Sequence, residues 1–217
     1  MNLSITLIII IMTCIISYQA FNNPEMKAKL LFRPVDAKRG EWYRFLSSGL
    51  IHADFMHLLV NMYVLFVFGE VVEQIFTQII FGETWGRLGY IAFYMSAVVI
   101  SSIPTFVRHQ DNFAYSALGA SGATSAIVFA FIITNPWAGL TLLFLPFFSI
   151  PALILGIIYI WYSSYMDKRG IDNIGHNAHL WGAIYGLIFT LTSIYIARPE
   201  LFEVLLAQLL AGPSSPF

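Results

Sequence analysis

The chain has 217 residues, 58% of them hydrophobic and 11% charged, where an ordinary soluble domain carries about a quarter charged residues. Its formal net charge of -1 implies no nucleic-acid partner, since that would call for a basic surface. The single cysteine, Cys14, rules out an internal disulfide and any metal held on several thiolates.

Such a composition belongs in a lipid bilayer, and the predicted class is an all-α polytopic membrane protein. A hydrocarbon core of about 30 Å takes roughly 20 apolar residues per spanning helix. Six spans are expected on that basis, at 3–20, 50–72, 88–107, 113–134, 138–162 and 178–197. They define a six-span region over residues 1–200 and a short amphipathic tail over 201–217. The first run lacks Lys and Arg ahead of it and ends without a small-x-small site, so it reads as a span rather than a cleaved signal.

A long polar first loop, 21–49, follows and ends in Trp42-Tyr43. Span 2 carries His52, His57 and Asn61 in its first turns and Glu70 and Glu73 towards its far end. The stretch QIFTQIIFGETWG reads as an extended connection to span 3. Span 4 contains the run ALGASGATSA, with Ser121 among alanines and glycines. Pro146 and Pro151 are expected to kink or split span 5, because proline lacks the amide that a helix needs. Span 6 opens with His176 and His179. In the tail, Leu201, Leu205 and Leu209 form one stripe and Gly212 a stop, the pattern of an interfacial helix. With a cytoplasmic N-terminus, nine of the 11 Lys and Arg residues fall in odd-numbered loops, opposite to the usual cytoplasmic enrichment.

Six spans place the starts of helices 2, 4 and 6 on one side of the membrane, whichever way the chain is oriented. His57, Asn61, Ser121 and His179 then meet at that side. His179, Gly182 and Gly186 are spaced i, i+3, i+7 and share a face. Gly119, Gly122, Ser125 and Ala126 offer a similarly small surface for close helix packing. A tight crossing would bring the Ser121 hydroxyl to the His179 imidazole, the need of a nucleophile and its base. Asn61 and the Ser121 amide could donate to a developing oxyanion. If helix 4 begins near Phe113, Ser121 lies about 12 Å below the surface; if it begins near Gly119, the preceding loop dips inward.

Each feature also has a plainer meaning. Ser121 alone reads as a packing residue, His179 as a hydrogen-bonded histidine and Asn61 as interhelical glue. A metal site on His52, His57, His176 and His179 is a rival, weakened by the absence of an H-E-x-x-H pattern.

Taken together, EWYRFLSSGLIHADFMHLLVNM, GASG and AHLWGAIYG, in this order on spans 2, 4 and 6, resemble the rhomboid intramembrane serine proteases. The resemblance covers about residues 3–197. It implies Ser121 as nucleophile, His179 as base, and His57, Asn61 and the Ser121 amide as the oxyanion hole. It also implies a serine endopeptidase without metal or cofactor, cutting transmembrane protein substrates near a helix end in a multi-pass location, here a bacterial cell membrane. The natural substrate and the oligomeric state are not legible. Ser125 departs from the family pattern, because some relatives carry there a tyrosine that packs on the histidine. Two other readings remain open: a catalytically silent membrane binder of client helices, and a small membrane transporter.

Overall fold

The computed structural model describes residues 3–142, 145–169 and 175–213. Helix α1 runs Ile5–Phe21, capped by Ser4, whose side chain accepts from the Leu7 amide. Three short helices follow in the first loop: α2 (Pro24–Leu30), α3 (Pro34–Lys38) and α4 (Arg44–Ser47). The buried Arg44 guanidinium donates to the carbonyls of Ala28, Lys29 and Leu31 at 3.0, 2.7 and 2.8 Å. Those are C-terminal carbonyls of α2, which lack helical partners and attract a cation. The loop is therefore a folded unit. Phe32, Ala37 and Phe45 form its small core, and Phe32 exchanges two backbone bonds with Ala117, tying it to the segment that leads into Ser121.

Helix α5 spans Phe55–Ile80, with π-helical turns at Leu65–Gly69 and Ile75–Ile80. It runs eight residues past the expected end of span 2, so most of the supposed long connection is helix. Only Phe81-Gly82 links it to α6 (Glu83–His109), with Gly82 at φ +76°. The crossing is tight: a Cβ on Gly86 would strike the backbone of Phe76 and Thr77.

Glu70 and Glu73 lie within α5, before its end at Ile80. Glu73 is 6% exposed and accepts from the amides of Ile5 and Thr6 at 2.9 and 2.8 Å and from the Thr6 hydroxyl at 2.8 Å. Glu70 accepts from Ser4 Oγ at 2.5 Å. Two carboxylates thus meet the positive N-terminus of α1. Removing a charged acceptor of three buried donors costs about 3 kcal/mol, so Glu73→Ala is expected to lower the thermal unfolding midpoint in detergent and expose α1 to protease. Unchanged values for both would contradict this role.

Helix α7 is Ser121–Thr134. It does not start near Phe113; residues 110–120 are non-helical, so the helix begins close to the later of the two expected starts. After it the chain departs from the expected fifth span. Strands β1 (Gly139–Leu142) and β2 (Leu145–Pro151) form an antiparallel hairpin, with Leu140 opposite Ile150, and helix α8 covers Ala152–Arg169. Pro146 and Pro151 bar helix at those positions, and strand pairing satisfies the backbone instead. Helix α9 is His176–Ala197 and α10 is Glu200–Ala211. Leu201 and Leu205 of α10 rest on the main core, so part of its apolar stripe is used within the protein.

Among the described residues three helices, α5, α6 and α9, are long and apolar enough to cross a membrane, and α1 and α7 are shorter apolar helices. The result is a helical membrane bundle around a core that includes Leu65, Phe76, Tyr90, Phe93 and Ile127.

Candidate active site

Glycine sets the distance between α7 and α9. A Cβ on Gly182 would collide with the Gly122 carbonyl, and one on Gly186 with the Ala126 carbonyl. The two backbones touch, as the shared small faces predict. Ser121 opens α7 and His179 lies in the first turn of α9. Both line one cavity of about 1150 Å³, together with His57 and Asn61.

Gly119 has a different role from the one expected. It lies outside α7 at φ +113°, and a Cβ there would sit 2.7 Å from His57 Cε1 and 2.9 Å from Nε2. It is a turn residue that admits the His57 ring, not a helix-packing residue. The turn is held from both sides. The Gly119 amide donates to the Ser48 carbonyl at 2.9 Å, and the Ala120 amide donates to His52 Nε2 at 3.4 Å. A lone pair on Nε2 puts the proton of His52 on Nδ1, which donates to Ser17 Oγ at 2.9 Å. Ser17 in turn donates to the Leu50 carbonyl. His52 precedes α5 and supports the turn before Ser121.

His57 Nδ1 accepts from the Ala53 amide at 3.4 Å, which leaves Nε2–H as a donor on the side facing Gly119. Asn61 Nδ2 donates to the His57 carbonyl at 2.9 Å, and Asn61 Oδ1 accepts from Thr124 at 3.2 Å. One amide hydrogen of Asn61 is left for the cavity. The four histidines fall into two pairs, His52 with His57 at 5.0 Å and His176 with His179 at 5.9 Å between ring centroids. Among the described residues no group of three or more His, Cys, Asp or Glu side chains is arranged to hold a metal ion.

Sequence reasoning missed two supports. Tyr159 of α8 stacks at 6.2 Å on the His179 ring. Near the start of α9, Arg108 grips both oxygens of Asp167 at 2.9 and 3.0 Å. Asn177 donates to Asp167 at 3.3 Å and accepts from Thr105 at 3.2 Å, pinning the start of α9. Residues 170–174, ahead of α9, lie outside the described residues.

With Arg108 51% exposed, its pair with Asp167 is worth at most about 1 kcal/mol.

A family model described as Rhomboid domain matches residues 39–196. The chain belongs to the rhomboid family. It is 30% identical over 181 residues to RHOMBOID-like protein 12, mitochondrial, of Arabidopsis thaliana, covering 80% of this chain and 53% of that protein. It is 32% identical over 149 residues to the Presenilin-associated rhomboid-like protein, mitochondrial, of Homo sapiens, covering 65% of this chain and 35% of that protein. This rhomboid thus spans about half of the first relative and about a third of the second. The matched region contains the first-loop Arg44, the His57 and Asn61 pair, Ser121 and His179.

Proposed function

We propose that the chain is an intramembrane serine endopeptidase acting on membrane-anchored proteins near the end of a transmembrane helix. The observation that supports this best is the shared cavity of Ser121 and His179, at a crossing where glycines bring α7 and α9 into backbone contact. In this reading α1, α7 and α8 complete six spans with the three longer helices.

Ser121 Oγ attacks the scissile carbonyl carbon while His179 takes the hydroxyl proton. His57 Nε2–H, the free Asn61 amide hydrogen and the Ser121 amide stabilise the oxyanion. The C–N bond then breaks, the amine leaves with the proton from His179, and water hydrolyses the acyl-enzyme through the same base. Every group in this scheme belongs to the chain. The location proposed is a multi-pass membrane one; the relatives named as mitochondrial do not favour the bacterial cell membrane implied by the resemblance.

The test is cleavage of a model transmembrane substrate by detergent-solubilised protein. Product from the intact chain and none from Ser121→Ala or His179→Ala supports the proposal. Equal cleavage by Ser121→Ala ends it, and binding without cleavage in every form, or solute flux in vesicles, would favour the silent binder or the transporter.

A further inference from the structure

A base that shuttles a proton needs its ring held still. Ser125, one turn after Ser121, is too small to pack on His179, and the space beside that ring is filled from another helix. Tyr159 comes from α8, with its ring 6.2 Å from His179 and tilted by 24°, within the offset-stacked range. Phe129 also packs on Tyr159, with ring centroids 5.8 Å apart and planes tilted by 49°.

The tyrosine hydroxyl is fixed as well. It lies 2.6 Å from Ser125 Oγ. Ser125 and Ser163, one turn further along α8, are 5% and 1% exposed. Ser125 Oγ donates to the Ser121 carbonyl at 2.7 Å, so the bond to Tyr159 is donated by the phenol. A continuous path results: the face of His179 rests on Tyr159, Tyr159 is bonded to Ser125, and Ser125 is bonded to the backbone of Ser121. Small Ser125 and large Tyr159 fit as one unit, since a bulky side chain at 125 would occupy the position of the phenol.

We infer that Tyr159, pinned by Ser125, is a positioning residue that holds the His179 imidazole towards Ser121. The inference rests on the serine protease reading above. Tyr159 needs no contact with substrate in this role, so its effect falls on the chemical step. A misplacement of about 1 Å in a catalytic group costs about 100-fold.

The experiment measures kcat and KM on the transmembrane substrate, and the rate of fluorophosphonate labelling per folded molecule, for the full chain in detergent. Tyr159→Leu is expected to lower kcat about 100-fold with KM within about twofold, and to slow labelling in parallel. Tyr159→Phe, which keeps the ring, retains most of the rate, as does Ser125→Ala, each within about tenfold of the intact protein. The double variant Ser125→Ala/Tyr159→Phe shows less than the summed loss of the single variants, because each of them already removes the Tyr159–Ser125 bond. A change confined to packing would lower the unfolding midpoint and leave labelling per folded molecule intact.

Wild-type kcat and labelling in folded Tyr159→Leu, a change in KM alone, or strictly additive losses in the double variant would overturn the inference. If Tyr159→Leu does not fold, the Tyr159→Phe and Ser125→Ala pair decides by additivity. Cleavage by Ser121→Ala in the same assay would instead overturn the protease reading itself, so the two failures are distinct.

Discussion

The double variant Ser121→Ala/His179→Ala is expected to cleave no more slowly than either single variant, each falling at least about 10⁴-fold below the intact protein. Groups that act as a unit lose their joint effect when either is removed, because a serine without its base is a poor nucleophile and a base without its nucleophile has no proton to take. The rate that survives is what cavity and oxyanion donors supply alone. Substrate binding should persist, since neither side chain carries the apolar contacts that hold a helix. Rates measured at saturating substrate check this directly. Multiplying losses in the double variant would show that Ser121 and His179 act independently.

Gly186→Leu is the second large effect expected, and it tests the frame rather than the chemistry. A Cβ at Gly186 would lie 2.6 and 2.7 Å from Cα and C of Ala126, besides colliding with its carbonyl oxygen. The obstacle is backbone inside a helix, which cannot turn aside as a side chain can. Helix α9 must therefore move away from α7, taking His179 from Ser121. Overpacking of this kind costs about 3 kcal/mol or more, or roughly 10 °C in the unfolding midpoint, and cleavage should be lost even in molecules that stay folded. Gly175→Ala is the stability control, because among the described residues the nearest atom a Cβ there would meet is Ala178 Cβ at 3.9 Å. A Gly186→Leu protein with the intact midpoint would refute the close crossing.

The meeting of α7 and α9 was legible in the sequence because helical spacing alone puts His179, Gly182 and Gly186 on one face. The cavity was legible because polar residues deep in apolar runs need a polar surround. Three things were not. Hydropathy cannot tell where a helix begins when the preceding loop is itself apolar, which is why α7 starts at Ser121 instead of near Phe113. It cannot separate a strand from a helix in the apolar run after α7, and missing the β1–β2 hairpin concealed where α8 begins. Without that start, Tyr159 is one of two aromatics in GIIYIW, with nothing to aim it at His179. Finally, the burial of Glu73 was not legible, because the partners of Glu70 and Glu73 are the amides and hydroxyls at the start of α1, 66 to 68 residues away. Local patterns hold no trace of such pairings.

Reaction of the solubilised chain with a fluorophosphonate, followed by peptide mapping, tests the central claim most directly. A phosphonyl group on Ser121 alone, absent after His179→Ala, is the predicted result. Modification of another serine, or undiminished labelling of Ser121 when His179 is replaced, would contradict it.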